Sequence, residues 1–128
     1  MAAKQITVWT QNRPGNMAKI ASALAARGIN ITGLFSSDAK GRCAVRLLVS
    51  NAVRAKAALK AAGFRTTEEP AVIVNLPDKP GQLAKVAGKF GRARINIDYA
   101  YATVSPAASR AQLVFGVKSA AVARRALR

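Results

Sequence analysis

Two short runs in this sequence carry residue types suited to holding a charged small molecule. Arg13-Pro14-Gly15-Asn16-Met17 and Lys79-Pro80-Gly81-Gln82-Leu83 each place Pro-Gly at the head of an apolar pattern with helical spacing. A helix starting there presents its first amide N–H groups, which have no partner inside the helix, to whatever lies in front of them. The partial positive charge of that end suits a carboxylate, and Gly15 and Gly81 have no Cβ to hold a ligand off the backbone. Asn12 and Asp78, at equivalent positions just ahead of the two runs, can accept from an ammonium group. Asn30 and Asn96, each beside an isoleucine at the start of an alternating stretch, offer a donor and an acceptor from a neighbouring strand. Unpaired buried charge is costly, so helix amides beside Asn or Asp match a ligand carrying both signs. Each residue also has a plain structural role open to it. Pro-Gly is a routine turn, Asp78 can cap its helix, and Asn30 and Asn96 can hold backbone at a strand start.

The elements that position these residues come as a repeat. Gly15 and Gly81 lie 66 residues apart, and the same offset carries Ile29-Asn30-Ile31 onto Ile95-Asn96-Ile97 and Ile6 and Val8 onto Val72 and Val74. Further on the offset becomes 68, so that Arg42 meets Arg110 and Asn51 meets Ser119. The two extra residues fall where Ala39-Lys40-Gly41 becomes Ser105-Pro106-Ala107-Ala108-Ser109, a hairpin tip, where an insertion is tolerated.

In the first copy, Gln5–Thr10 alternates as a strand. Met17, Ile20, Ala21 and Leu24 then recur at helical spacing as an inward face, and Gly28 stops the helix. Ile29, Ile31, Gly33 and Phe35 alternate with polar or outward residues as a second strand. Asp38–Gly41 turns the chain into a third, with Cys43, Val45, Leu47 and Val49 inward. Asn51 caps a second helix with Ala52, Ala55, Leu59 and Ala62 inward, Gly63 ends it, and Phe64–Thr67 forms a fourth strand. The second copy repeats the first helix face as Leu83, Val86, Ala87 and Phe90. The order β-α-β-β-α-β is the ferredoxin-like, split βαβ unit, so the fold class is α+β with helices on one sheet face. Residues 1–69 and 70–128 form the two units. The second has no counterpart of Phe64–Thr67, which leaves a neighbouring strand edge to be covered by another chain or by the linker around Thr66–Pro70.

Composition narrows the function. Of 128 residues, 51% are hydrophobic, enough for a packed core; 21 Lys and Arg against 5 Asp and Glu give a net charge of +16. Histidine is absent and Cys43 is the single cysteine. Imidazole-based metal, nucleophile and acid–base sites are therefore excluded, as are an intrachain disulfide and any CxxC motif. With few carboxylates and no nucleophile–base pair, the chain reads as a non-enzyme without metal or cofactor. Cys43 reads as a small core residue. The basic residues scatter over helices and turns, and the strands beginning at Arg42 and Arg110 lack the aromatic motif of ferredoxin-like RNA platforms. No apolar run of signal-peptide or membrane-spanning length occurs, which makes the cytoplasm the expected setting and excludes a membrane partner.

A strand followed by x-Arg/Lys-Pro-Gly-x-apolar-Ala-Lys-apolar, a helix, and Ile-Asn-Ile resembles the ACT domain, and the resemblance covers both halves of the chain. It is similar in particular to small stand-alone proteins made of two tandem ACT domains. The resemblance implies two ACT-type units and non-catalytic, regulatory binding of a small amino acid. It places the ligand where the strand-to-helix loop of one domain faces the second strand of another. The positions so implied are Asn12, Pro14, Gly15, Asn16, Met17, Asn30 and Ile31, with Asp78, Gly81, Gln82, Leu83, Asn96 and Ile97 in the second copy. Arg94 in place of Gly28, and the missing last strand, put one of the two pseudo-equivalent sites in question. A homodimer through strand pairing or sheet faces is expected. The alternatives are a regulatory subunit of a separate amino-acid biosynthetic enzyme and a basic RNA- or DNA-binding module. Trp9, with Leu34, Leu48, Ile73 and Val114, is expected on the sheet face away from the helices. Tyr99 and Tyr101 are expected to continue the buried face of Ile95 and Ile97.

Overall fold

The computed structural model describes residues 4–128; the opening Met1-Ala2-Ala3, where a targeting signal would begin, lies outside them. The chain divides into two compact units, Met1–Glu69 and Pro70–Arg128. The first runs β1 (Lys4–Gln11), α1 (Asn16–Ala25), β2 (Ile31–Ala39), β3 (Arg42–Val49), α2 (Ala52–Ala61) and β4 (Arg65–Thr67). The second runs β5 (Ala71–Pro77), α3 (Gln82–Arg92), β6 (Tyr99–Ser105), a 3₁₀ turn (Pro106–Ala108), β7 (Arg110–Gly116) and α4 (Ala120–Ala126). Both are ferredoxin-like sheets with antiparallel pairing throughout, ordered β2-β3-β1-β4 and β5-β7-β6.

Strand alternation and helix periodicity meet in the cores. In the first unit Ile6, Val8, Val45, Leu47 and Val49 from the sheet pack against Ile20 and Leu24 of α1 and Ala55, Ala58 and Leu59 of α2. Each fully buried leucine or isoleucine contributes about 2 kcal/mol relative to exposure. In the second, Val72, Val86, Phe90, Phe115, Val117 and Ala123 form the core, with the Phe90 and Phe115 rings edge to face at 5.2 Å. The inward helix faces differ in detail from the periodic reading. Met17, Ala21 and Ala62 are exposed, and Leu83 is exposed in the second copy. Met17 and Leu83 occupy the first helical turn, and Ala62 is the α2 C-cap residue. These three lie at helix ends, where packing against the sheet runs out.

A bulge between Ile31 and Gly33 changes the phase of β2. Before it, Ile31 stands opposite Val49, on the helix side; after it, Leu34 stands opposite Leu47 and Phe35 opposite Arg46. One inserted residue flips every later side chain. Leu34 is therefore on the helix side, not with Trp9, and Phe35 is on the outer face. Leu48, opposite Gln5, and Val114, opposite Ile73, do lie on the outer faces. The second unit has the same phase. Tyr99 and Tyr101 stand opposite Gly116 and Val114 on the outer face, so they do not continue a buried face from Ile95 and Ile97. The two copies solve this register with opposite sizes: Gly33 faces Leu48 in one and Tyr99 faces Gly116 in the other. A Cβ on Gly116 would run into the Tyr99 ring.

The outer face of the first sheet carries a half-buried ion pair. Glu69 receives the Arg46 Nε–H at 2.9 Å and a second guanidinium N–H at 3.3 Å, and it also accepts from the Thr7 hydroxyl. Burial raises the Glu69 pKa, but the Arg46 and Thr7 hydrogen bonds and the Arg46 charge outweigh it and hold the carboxyl below 4.5. The second copy has Val114 at the Arg46 position.

Arg65–Thr67 pairs with β1, so those residues of the linker do not cover the edge left by the missing last strand. Among the described residues the second sheet ends at β5.

Two stability measurements follow from this packing. Gly116→Ala is expected to lose about 2 kcal/mol by overpacking, and Tyr99→Ala in the same chain to recover most of it; equal losses with and without Tyr99 would contradict the pairing. Glu69→Gln is expected to cost about 2 kcal/mol at neutral pH, because it leaves the Arg46 charge poorly matched. A carboxyl whose folded pKa is depressed stabilises above its unfolded pKa and loses that contribution as pH falls through the folded value. The advantage of wild type over Glu69→Gln should therefore fade progressively below pH 4.5, and the denaturant midpoints of the two proteins should converge there.

Candidate functional site

Each strand-to-helix turn is built the same way. Asn12 N–H donates to Gly41 O, and Asp78 N–H to Ser109 O, both at 2.8 Å, so the end of the first strand of each unit is held to the tip of its hairpin. Asn16 N–H returns to Arg13 O at 3.2 Å and Gln82 N–H to Lys79 O at 3.4 Å. Gly15 and Gly81 have φ 87° and 89° with ψ near zero, the third-residue geometry of a type II turn with Pro ahead of it. Glycine takes that conformation without strain and proline pre-sets the residue ahead of it, so the turn by itself accounts for Pro14-Gly15 and Pro80-Gly81.

These two helices are also the ones without a side-chain cap. Asn51 and Ser119 cap α2 and α4 by accepting from Arg54 N–H and Val122 N–H. No side chain caps α1 or α3, so Asp78 does not act as a cap. Met17 and Leu83, in the first turns of α1 and α3, are exposed at 39% and 56%. Open amides, a glycine without Cβ and an exposed apolar side chain thus recur together in both units. Asn16 also holds the turn in place, because its Nδ2 donates to Thr10 Oγ1 at 3.0 Å and to Gln11 O at 2.9 Å.

The strand-start residues are elsewhere in each unit. Ile31 pairs with Val49, which pairs with Lys4, at the opposite end of β1 from Gln11. Seven residues of strand separate the two ends by roughly 24 Å. Asn30 is not on a strand neighbouring the turn either, because β3 lies between β2 and β1. The second unit repeats this, with Tyr99 and Ala71 opposite Gly116 at one end and Pro77 at the other. A single unit therefore does not bring Asn12–Met17 together with Asn30–Ile31, nor Asp78–Leu83 with Asn96–Ile97.

The surroundings include residues that the sequence reading did not single out. Asn12 opens on a cleft of about 530 Å³ whose walls include Arg13, Lys40, Arg42 and Arg65. Asn96 lines a hollow of about 290 Å³ with Arg94, Lys118 and Ser119. Arg94 keeps the left-handed backbone of Gly28, φ 57° against 67°. Ile95 N–H reaches Phe90 O at 2.9 Å as Ile29 N–H reaches Leu24 O at 3.0 Å. The departure at Arg94 thus leaves the helix ending intact. Among the described residues no three His, Cys, Asp or Glu side chains gather as a metal site, and Cys43 is half-buried against the first core. No helix among them is long and apolar enough to cross a membrane.

Comparison with known proteins agrees with this architecture. The family described as ACT domain pair matches residues 1–127. The solved protein BT0572 from Bacteroides thetaiotaomicron is 25% identical with a TM-score of 0.87, the match covering 98% of this chain and 86% of that one. The ligand-free regulatory subunit of aspartate kinase from Thermus thermophilus is 23% identical with a TM-score of 0.69, covering 99% of this chain and 91% of that one. The corresponding subunit from Thermus flavus is 21% identical with a TM-score of 0.60, over 98% and 92%. No curated protein matches. A tandem repeat with two glycine-opened, uncapped helices, matched over nearly its whole length, belongs to the ACT domain pair family.

Proposed function

We propose that this protein is a non-catalytic regulatory protein that binds a small free amino acid at its strand-to-helix turns. The observation that carries the reading is the twofold recurrence of an uncapped helix start behind a left-handed glycine, beside Asn12 or Asp78 and an exposed Met17 or Leu83. In this reading the ligand carboxylate accepts from the first-turn amides that follow Asn16 in α1 or Gln82 in α3. Its ammonium donates to Asn12 or Asp78, and its side chain rests on Met17 or Leu83. Asn30, Ile31, Asn96 and Ile97 can share such a ligand only when they come from a different ACT unit than the turn, since one unit keeps them at opposite ends. Asp78 supplies a full negative charge where Asn12 supplies a dipole, so the second turn holds an ammonium group more strongly than the first. The reading includes a homodimer in the cytoplasm whose association, or whose effect on a partner enzyme, changes with ligand.

Thermal melts of the whole chain against the twenty amino acids test it. One amino acid or a chemically related set should raise the melting temperature, by about 2.7 kcal/mol of stabilisation at a hundredfold excess over Kd. Gly81→Ala, which keeps the fold at some cost but puts a Cβ before the amides, and Asp78→Ala should each abolish the shift at the second turn. A flat panel with wild-type protein, or a shift indifferent to Gly15→Ala, Gly81→Ala, Asn12→Ala and Asp78→Ala, would overturn the reading.

A further inference from the structure

The first unit carries a cleft walled by four cations, Arg13, Lys40, Arg42 and Arg65. Trp9 stands opposite Ala44 on β3 and Arg65 on β4, and Gln11 stands opposite Arg42. Antiparallel partners project to the same face, so Trp9, Arg42 and Arg65 share the outer face at the hairpin end of the sheet. The Arg42 guanidinium lies 5.4 Å from the centre of the Trp9 ring, and the indole N–H donates to Thr67 Oγ1 at 2.7 Å. Arg13 comes from the strand-to-helix turn and Lys40 from the hairpin tip, drawn together by the hydrogen bond from Asn12 N–H to Gly41 O. The open cleft has a volume of about 530 Å³, within the range of roughly 300–1,000 Å³ typical of small-molecule sites.

No residue lining the cleft carries a carboxylate. Asp38, in the same hairpin, instead accepts from the Gly41 N–H at 3.4 Å. The nearby acids of the linker are engaged as well, Glu69 with Arg46 and Glu68 with Lys56. Four like charges from three separate segments thus face one open volume. In the second unit Asn75 replaces Trp9 and bonds Gln112, and among the described residues no strand pairs with β5 as β4 pairs with β1. The second unit carries the same net charge but keeps only Lys79 and Arg110 at these positions, so net charge alone does not assemble the cleft.

We propose that this cleft binds a diphosphate group, free or as part of a nucleotide. Two adjacent phosphates carry enough negative charge to neutralise most of the wall. Arg13, Arg42 and Arg65 offer planar forks that match phosphate oxygens, and Lys40 adds a point charge. The cleft is open, so the attraction is screened by salt and binding weakens steeply as ionic strength rises.

Trp9 is the only tryptophan of the chain, so its fluorescence reports directly on the site. Pyrophosphate, ADP and orthophosphate are titrated into the full chain, with calorimetry for stoichiometry. Pyrophosphate and ADP should saturate at one per chain, bind at least tenfold tighter than orthophosphate, and weaken at least tenfold between 50 and 200 mM salt. ADP tighter than pyrophosphate names a nucleotide as the source, and equal affinity names the diphosphate alone. Arg42→Gln with Arg65→Gln should weaken both at least tenfold, and Lys40→Asn, in an exposed turn that Asn tolerates, several-fold. Arg42→Lys with Arg65→Lys should recover part of the loss, and Arg124→Gln with Arg125→Gln on α4 should change nothing. No saturable signal, equal weakening by the α4 pair, or tighter binding of single-stranded RNA to several chains at once would overturn the proposal. The amino-acid melts are independent of it, since Gly81→Ala and Asp78→Ala leave this cleft intact and Arg42→Gln with Arg65→Gln leaves the second turn intact.

Discussion

The hydrogen bond from the first residue after the opening strand to the hairpin tip is the constraint on which each unit depends. Asn12 N–H to Gly41 O and Asp78 N–H to Ser109 O have the same length, 2.8 Å, although the two tips are built differently. The first is a tight Lys40-Gly41 turn; the second accommodates a 3₁₀ turn over Pro106–Ala108. The accepting residue is left-handed in both, Gly41 at φ 81° and Ser109 at φ 51°. That conformation delivers the carbonyl to the strand end whatever precedes it. Once this bond is made, the type II turn and its glycine set the direction in which α1 or α3 leaves, and every amide of the candidate site follows from that direction.

The two copies share their helix-facing cores and part company on the other side of the sheet. Ile6 and Val8 answer to Val72 and Val74, and the α2 and α4 caps, Asn51 and Ser119, bond in the same way. On the outer face the equivalents are unlike: Gly33 with Leu48 against Tyr99 with Gly116, Arg46 against Val114, Trp9 against Asn75. A core divides its volume among many neighbours and tolerates change only in concert. The outer face can exchange large for small across a single strand pair, as the tyrosine and glycine show. Divergence there lets two units of one fold hold different chemistry.

Much of this was legible from residue order. The repeat, the helix starts, the asparagine and serine caps and the ferredoxin-like order all rest on local signals of a few residues each. The phase of β2 was not legible, because Ile29-Asn30-Ile31-Thr32-Gly33-Leu34-Phe35 alternates convincingly straight through the position where the strand bulges. That bulge moves Leu34 to the helix side and Phe35, like Tyr99 and Tyr101, to the outer face. The exposure of Met17 and Leu83 escaped periodicity for a related reason: spacing marks the inward side of a helix but not where the opposing sheet ends.

By itself the sequence determined which residues are candidates: glycines where a turn must be left-handed, Asn12 and Asp78 beside them, and a family pattern written twice. Only the tertiary structure decided which of those candidates stand together. Strand pairing puts the turn and the second-strand residues at opposite ends of each sheet, so two motifs about a dozen residues apart in the chain are about a strand's length apart in space. The same pairing gathers Arg13, Lys40, Arg42 and Arg65, which no local pattern connects, around Trp9. The reason is physical: backbone conformation answers to near neighbours in sequence, whereas electrostatics and shape answer to neighbours across the sheet, and those are chosen by register.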